Sequence, residues 1–352
     1  MNKVSYKNVH NKFKLNGVYL SKKDCNRVAC VFIKEGNESL KSIGNFLLNW
    51  FDKSTFLEVQ TSGTTGKPKI IRIEKQAMVN SALATGDFFK LQPGNKALLC
   101  LSADYIAGKM MLVRALILGL ELDTVAVSSF PFQNVSKQYD FVAMVPLQVE
   151  NSLLQLYLVK KLIIGGATVN SFIKSELKEL SIEIFETYGM TETITHIAAK
   201  KVNEDNFRTL PNVAVSIDDR NCLVIKAPKI SKDIIVTNDI VDLISESEFR
   251  WLGRIDNVIN SGGIKLFPEQ IEEKLQNKIA NRFFISAIKD DFLGQKVVLI
   301  IESKEADKLE VEVFEGLSKF ETPKKIFYVD TFEESASNKI NRIKTLKKIK
   351  VV

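Results

Sequence analysis

The run TSGTTGKPK has the composition of a loop that holds an anion. It places hydroxyl side chains, glycines and lysines between two strand-like stretches, LEVQ and KIIRI. Glycines allow a tight loop whose backbone N–H groups converge on phosphate oxygens, while hydroxyl and ammonium groups add donors and charge. We therefore expect this loop to bind a polyphosphate through Thr61, Ser62, Gly63, Thr64, Thr65, Gly66, Lys67 and Lys69.

The spacing of this loop differs from that of a Walker A motif. Only two residues separate Gly63 from Gly66, whereas a Walker A loop has four, and Pro68 follows the first lysine. A Ser/Thr-rich hairpin loop with no ligand is the alternative interpretation of the same residues.

A second cluster, YGMTETITH, could contact the rest of a nucleotide. The Tyr188 ring could stack on a flat heterocycle, and the Glu192 carboxylate could bind Mg²⁺ carried by phosphates. The GGA segment at 165–167 could approach a planar ligand with its backbone, and Asp239 in TND could accept hydrogen bonds from ribose hydroxyls. The alternatives are an exposed turn glutamate at 192 and a turn cap at 239.

Composition narrows the function classes. The chain has 352 residues, a net charge of +7, four scattered cysteines and two histidines, which disfavours a zinc site, a disulfide framework and a Ser-His-Asp hydrolase. The amino terminus is polar and no apolar run is long enough to span a membrane, so we expect a cytoplasmic protein without membrane insertion. The basic last stretch lacks interleaved aromatics, which argues against nucleic-acid binding.

The element pattern predicts an α/β fold. From Leu57 to Tyr188 short β-branched runs alternate with helical runs, which indicates a mostly parallel sheet flanked by helices. A small β-rich subdomain follows from about Ile197, and then a small, mobile α+β domain that includes a helix over residues 308–320. We place the domains at 1–255 and 256–352.

In their order along the chain, these motifs resemble those of the adenylate-forming superfamily, which contains acyl-CoA synthetases, luciferase and peptide-synthetase adenylation domains. TSGTTGKPK looks like its phosphate loop, YGMTE its adenine and Mg²⁺ motif, TND its ribose motif, WLGRIDNVINSGG its hinge segment and SNKINR its carboxyl-terminal lysine region. The resemblance covers residues 38–349, but most of the usual amino-terminal subdomain is missing.

The resemblance implies a two-step reaction. A carboxylate attacks the α-phosphate of Mg²⁺-ATP to give an acyl-adenylate and pyrophosphate, and a thiol, usually that of CoA, then displaces AMP. It implies catalytic roles for Lys339, Thr191 and Glu192, with Glu192 on the metal. Beyond the phosphate loop, the implied ATP contacts are Gly165, Gly166, Ala167, Tyr188, Gly189, Met190, Asp239 and Arg254.

The same resemblance implies a hinge at Asp256 and a loop facing the thiol at Ser261, Gly262 and Gly263. A shortened enzyme has less wall for a long acyl tunnel, and among short members the chain looks most like bacterial o-succinylbenzoate-CoA ligases of menaquinone biosynthesis. That small aromatic acid carries a second carboxylate, for which Lys109 is the expected cation. Tyr105 and His196 are further candidates for contact with the acid.

Several alternatives remain at this point. The chain could be another small aryl- or acyl-CoA ligase, or an adenylation enzyme that loads a carrier protein instead of free CoA. A nucleotide-binding protein without catalysis is disfavoured by the retention of Lys339, Glu192 and Asp239. An oligomer is possible, and the shortened amino terminus could be completed by another chain.

Overall fold

The computed structural model describes residues 4–60, 70–304, 309–334 and 340–349. In these ranges the helices are α1 Lys22–Glu35, α2 Glu38–Phe51, α3 Lys75–Phe89, α4 Ile106–Leu118, α5 Pro146–Glu150, α6 Ser171–Lys178, α7 Pro268–Leu275 and α8 Arg342–Lys348. The strands are β1 Lys14–Leu15, β2 Val18–Tyr19, β3 Phe56–Gln60, β4 Ile70–Glu74, β5 Lys96–Leu99, β6 Glu121–Thr124, β7 Phe141–Met144, β8 Lys161–Ile164, β9 Glu183–Gly189, β10 His196–Lys201, β11 Phe207–Thr209, β12 Ala214–Ile217, β13 Cys222–Lys226, β14 Ile235–Ser245, β15 Glu248–Arg254, β16 Ile259–Ser261, β17 Ile264–Leu266, β18 Phe283–Asp290, β19 Gly294–Glu302 and β20 Lys325–Val329.

The largest sheet has thirteen strands in the order β12-β13-β14-β15-β11-β10-β9-β8-β7-β5-β6-β1-β2. Strands β5 to β9 run parallel, and their connections contain α4, α5 and α6. Strands β10 to β15 continue the same sheet in antiparallel pairing. The predicted α/β class is confirmed, and the β-rich stretch after Ile197 forms the antiparallel half of the main sheet.

The helices on this sheet form the main core. Helix α4, with the sequence IAGKMMLVRALIL, is buried over most of its circumference, as expected for a helix that is apolar on nearly every face. Two helices at the amino terminus begin at side-chain caps. The Ser21 hydroxyl accepts from the Asp24 N–H, and the Asn37 side chain accepts from the Leu40 N–H.

Strands β3 and β4 form a separate two-stranded sheet. Gln60 pairs with Ile70 at its end, so the hairpin brackets the predicted phosphate loop. That loop, residues 61–69, lies outside the described residues.

The second large unit is a five-stranded sheet built from residues after 258. Its order is β17-β16-β19-β18, and β20 adds in parallel to β19. The helix predicted over 308–320 is wrong, because the described part of that stretch contains only a 3₁₀ turn at Val311–Phe314. The β-branched Val311 and Val313 disfavour a helix, and Gly316, at φ 83°, ends the segment. The domain boundary at 255/256 stays a prediction.

The basic carboxyl-terminal stretch forms α8. Leu346 is buried against the second sheet with Ile340 and Ile349, whereas Ile343 is exposed. Within the described ranges, no helix combines the length and apolar character needed to cross a bilayer.

Candidate functional site

A cleft of about 1360 Å³ lies between the two large sheets. One wall contains the carboxyl ends of β8 and β9, where ligands of mostly parallel sheets bind. The other wall contains α7 and the start of β18. This cleft is lined by five residues that were predicted from the sequence to contact a nucleotide: Gly166, Ala167, Tyr188, Gly189 and Asp239.

The GGA segment follows β8 directly, and both glycines are required by the local geometry. Gly166 has a φ of 87°, a conformation that favours glycine. A Cβ atom on Gly165 would lie 2.7 Å from the Thr187 hydroxyl of the neighbouring strand. The backbone is therefore bare where it meets the cleft.

The Asp239 carboxylate is held in a fixed orientation at the cleft wall. The Tyr188 hydroxyl donates to its Oδ2 at 2.6 Å, the Trp251 indole donates to Oδ1 at 3.4 Å, and the Arg254 Nε lies 3.8 Å from Oδ1. Burial, and after it the charge of Asp239, raises the pKa of Tyr188, so its hydroxyl remains a donor. Such a preorganised carboxylate is suited to accept hydrogen bonds from a ligand that enters the cleft.

The turn after β9 is rigid because of its threonines. The Thr193 hydroxyl accepts from the Met190 N–H at 2.9 Å and donates to the Thr195 carbonyl at 2.7 Å. Ile194 is buried at φ 68°, a rare conformation for a β-branched residue. The side chain of Glu192 is exposed at this turn, and that of Thr191 is partly exposed.

No metal cluster is preformed in the described part of the chain, since it contains no group of three or more His, Cys, Asp or Glu side chains that could hold an ion. Mg²⁺ is commonly held by one or two protein carboxylates together with substrate phosphates and water. The exposed Glu192 carboxylate is compatible with a metal that arrives on a nucleotide.

Sequence reasoning missed Glu186, a buried carboxylate that lines the cleft. It lies 3.5 Å from the Lys174 ammonium and 3.7 Å from that of Lys200, and within the described structure its Oε1 accepts no hydrogen bond. Its position two residues before Tyr188 in the strand EIFETYG was the available signal. It provides an acceptor inside the cleft.

Sequence reasoning also missed Arg114, which is 2% exposed in the middle of α4. Its Nε donates to the Thr85 hydroxyl at 3.4 Å, and its Nη2 donates to the Thr195 hydroxyl at 3.3 Å. Burial lowers the pKa of Arg114 to about 9, and no carboxylate of the described residues pairs with it. A single charge within the apolar run MMLVRALIL was the signal that could have identified it.

His196, predicted as a possible acid contact, lies beside Arg114 and away from the cleft wall. Its Nδ1 is 3.4 Å from Arg114 Nη2, and its Nε2 is 3.3 Å from the Thr85 hydroxyl. Burial, and after it the charge of Arg114, lowers the pKa of His196 well below its ordinary value. His196 pairs with Gly189 across β9 and β10, so the buried cluster of Thr85, Arg114, Thr195 and His196 adjoins a residue of the cleft.

Lys109 and Tyr105 lie at the start of α4. The Lys109 ammonium donates to the carbonyl oxygens of Ala103 and Asp104, each at 2.6 Å, and burial lowers its pKa. Tyr105 precedes the helix and is exposed. Lys109 therefore closes the turn before α4 with two of its three N–H groups.

The predicted hinge and thiol loop lie at the junction of the sheets. Arg254 Nη2 is 2.9 Å from Asp256 Oδ2, and Asp256 belongs to the 3₁₀ turn Ile255–Asn257. Ser261 pairs with Ile264, so Gly262 and Gly263, at φ 58° and 81°, form a two-residue hairpin turn. This turn is not among the described residues that line the cleft.

The carboxyl-terminal segment reaches the cleft through Ile340 and Arg342. Lys339, the predicted catalytic residue, directly precedes Ile340 and lies outside the described residues, as do Thr61 to Lys69. The described neighbours of Lys339 thus share one cleft with Tyr188 and Asp239.

Comparison with known proteins identifies the class of protein. The family model described as AMP-binding enzyme matches residues 59–227. A solved acyl-CoA synthetase (AMP-forming)/AMP-acid ligase II-like protein from Dyadobacter fermentans is 33% identical, with 92% of this chain and 98% of that chain covered and a TM-score of 0.62. The chain belongs to the AMP-binding enzyme family.

More distant relatives carry a more specific name. 2-Succinylbenzoate–CoA ligases of Haemophilus influenzae and Listeria monocytogenes are 26% and 24% identical, over 70% and 85% of this chain. The chain spans 59% of the first relative and 71% of the second. The o-succinylbenzoate coenzyme A synthetase of Bacillus subtilis, solved with ATP and magnesium ion, is 20% identical, with 82% of this chain and 69% of that chain covered; its TM-score of 0.71 shows a shared fold.

Proposed function

We propose that the protein is an AMP-forming acid–thiol ligase that activates a small aromatic dicarboxylic acid, with o-succinylbenzoate as the preferred candidate and CoA as the acceptor. In the first step a carboxylate oxygen bonds to the α-phosphorus of ATP and the bond to pyrophosphate breaks. In the second, a thiolate sulfur bonds to the acyl carbon and AMP leaves with the electron pair of the C–O bond.

One observation carries this proposal. The cleft lined by Tyr188, Gly166 and Asp239 is also lined by Ile340, the residue that follows Lys339. A nucleotide in this cleft and a cation from the carboxyl-terminal segment would therefore meet, as adenylation requires.

The nucleotide would occupy the wall formed by the large sheet. The ring of Tyr188 and the bare backbone at 165–167 suit a flat base, and the fixed Asp239 carboxylate suits ribose hydroxyls. The loop at 61–69 would hold the phosphates, and the exposed Glu192 would complete the coordination of Mg²⁺ that arrives with ATP, next to Thr191. Mg²⁺ would supply charge neutralisation of the phosphates.

Lys339 would act on the developing charge. Adenylation brings a carboxylate to an anionic phosphate, so a cation between them stabilises the transition state more than the bound ground state. This role predicts an effect of Lys339 on kcat rather than on ATP affinity.

A dicarboxylic acid needs a second cation for the carboxylate that does not react. Arg114 is the better candidate, because its guanidinium is buried without a described acid and contacts His196, which pairs with the cleft residue Gly189. By contrast, two N–H groups of Lys109 already bind carbonyls. Lys109 remains the candidate from the sequence.

The thiol step would follow a rotation about Asp256 that exchanges the carboxyl-terminal segment for the loop at 261–263. The position of Asp256 in a short turn between the two sheets supports this assignment. Pyrophosphate release without CoA reports the first half-reaction, and thioester formation with CoA reports the second. The rotation is proposed to lie between these two half-reactions.

The test combines purified protein with ATP, Mg²⁺ and a panel of acids that includes o-succinylbenzoate, aryl monocarboxylates and short fatty acids. Pyrophosphate release reports adenylation, and mass spectrometry with CoA or a holo-carrier protein reports the thioester. We expect turnover to be highest with the dicarboxylate and CoA, and Lys339→Ala to lower the adenylation kcat by about 10²–10³-fold with little change in KM for ATP.

Other results would assign a different function. A preference for a monocarboxylate would indicate another acyl- or aryl-CoA ligase, and a preference for the holo-carrier would indicate a loading enzyme. ATP binding without pyrophosphate release for any acid would contradict the ligase proposal.

A further inference from the structure

The Arg342 guanidinium is held from several sides at the cleft edge. Its Nη2 donates to Glu272 Oε2 at 2.8 Å and its Nη1 donates to the Ile285 carbonyl at 3.2 Å. The Phe284 ring centroid lies 5.6 Å from the guanidinium carbon. Because a planar guanidinium has a rigid set of donors, these contacts together fix its orientation.

Glu272 connects this arginine to the second sheet. Its Oε1 accepts from the Ile285 N–H at 2.7 Å, so one carboxylate bonds to the β18 backbone and to Arg342 at once. Glu272 lies on α7, one turn after Glu269. The ion pair thereby fastens the start of α8 to α7.

The first turn of α7 contacts the turn that contains Asp256. The Asn257 side chain donates to Glu269 Oε1 at 2.5 Å, and a Cβ atom on Gly253 would lie 2.5 Å from Glu269 Oε2. Glu269 also lies 4.0 Å from Arg342. Helix α7 is therefore a short, direct link between the proposed hinge and the segment that begins at Ile340.

We infer that Glu272 is a positioning residue, which through Arg342 holds the Ile340–Arg342 segment against the cleft and so supports the adenylation role proposed for the residue before that segment, Lys339. This inference rests on the proposed function, because it assigns a role relative to the adenylation step. Glu272 itself contacts neither substrate nor the reacting atoms in this assignment.

The test is Glu272→Gln, assayed at pH 8, above the pKa of about 7 for Glu272. The variant preserves shape and an acceptor for the Ile285 N–H but removes the charge that holds Arg342. We expect the adenylation kcat to fall about 10–100-fold, since small misplacements of a catalytic group have effects of that order. KM for ATP should remain within about twofold, because the nucleotide contacts lie on the other wall.

A second variant makes the test independent of one substitution. Arg342→Lys retains the positive charge but loses the planar donor set, and should lower kcat in the same way. The double variant Glu272→Gln/Arg342→Lys should be no slower than the slower single variant, because both act through one contact. Should the glutamine variant fail to fold, the lysine variant carries the same kcat and KM comparison.

Lys274→Gln is the matched control. It lies on the same helix and removes the pair between Lys274 and Glu321, 2.7 Å apart at the surface, so its kcat should match that of the unaltered enzyme. An unchanged kcat in Glu272→Gln, or a loss expressed only in KM, would overturn the inference while leaving the proposed function standing. Absence of turnover by the unaltered enzyme on every acid would overturn both.

Discussion

Two arginines in this protein are removed from most solvent, but their surroundings differ. Arg342 lies within 2.8 Å of the Glu272 carboxylate, and Glu269 is 4.0 Å away. Arg114 is fully buried and contacts only neutral groups, at 3.3 to 3.4 Å. In the described structure one guanidinium has its counter-charge in the fold, and the other does not.

The presence or absence of a nearby carboxylate distinguishes a cation that stabilises the fold from one that is available to a ligand. A charge that the fold neutralises is retained with the help of its partner, and removal of one member leaves the other uncompensated. A buried charge without an acid lowers stability, since desolvation opposes the charged form. Such a charge is explained if a ligand supplies the missing anion, as proposed for Arg114.

The largest expected effect is on folding stability. Arg342→Met leaves the mostly buried Glu272 without its partner, and should lower the free energy of unfolding by up to about 3 kcal/mol. Arg114→Met replaces an uncompensated charge with an apolar side chain of similar length, and should leave stability within about 1 kcal/mol of the original or raise it. Urea unfolding at pH 8, above the pKa of about 7 for Glu272 in the unaltered protein, measures both.

The matched substitution makes the two measurements comparable, because each removes one guanidinium in favour of one thioether. Equal losses in the two variants would contradict the distinction between them. A large loss for Arg114→Met alone would indicate that its contacts with threonine and histidine stabilise the fold.

The next effect concerns selectivity for the acid. If Arg114 donates hydrogen bonds to the second carboxylate, Arg114→Met should lower kcat/KM for a dicarboxylic acid by about 10²-fold, which corresponds to the loss of a charge-assisted hydrogen bond. A monocarboxylate analogue, which lacks that group, should be turned over as before. Pyrophosphate release with the two acids gives the ratio directly.

Lys109→Ala distinguishes the two cations. If Lys109→Ala lowers the preference for the dicarboxylate over the monocarboxylate and Arg114→Met does not, Lys109 binds the second carboxylate, as predicted from the sequence. Arg342→Lys should leave the ratio of kcat/KM for the dicarboxylate to that for the monocarboxylate unchanged, because the Arg342 guanidinium already binds Glu272.

Local pattern predicted much of the fold, since strand and helix periodicities are encoded within short windows. The continuity of the parallel and antiparallel halves in one sheet depends on pairing between β9 and β10 across a bulge, which no local window contains. The missed turn at 311–314 has the same origin: apolar spacing suggested a helix, but β-branched residues and Gly316 decided otherwise.

The candidate site likewise contains residues that local sequence pattern predicts to meet and residues that only packing brings together. Gly166, Tyr188 and Asp239 could be predicted to meet because each motif follows or lies within a strand of one sheet. Arg114 and His196, 82 positions apart, meet only through packing of α4 against β10. Sequence pattern identified Lys109 as a charged helix residue, but its hydrogen bonds to two carbonyls follow from the turn before α4.

The smallest effect is a pair of opposite pH dependences. Burial, and after it the charge of Arg114, lowers the pKa of His196 below its ordinary value of 6.5. Below pH 6.5 the unfolded chain therefore binds a proton at His196 that the folded chain does not. The free energy of unfolding falls as pH falls. Burial raises the pKa of Glu272 to about 7 from 4.5, against the opposing charge of Arg342 and with a further contribution from Glu269. The folded chain therefore holds that proton between pH 4.5 and 7, and stability falls as pH rises.

Between pH 5 and 6.5 the two contributions oppose each other, each with a slope of at most about 1.4 kcal/mol per pH unit. His196→Asn removes the first, so its unfolding free energy relative to the unaltered protein should increase as pH falls. Glu272→Gln removes the second, so its relative value should decrease over the same interval. Urea unfolding at half-unit steps measures both differences, and slopes of the same sign would show that the two clusters do not titrate as their burial and neighbouring charges require.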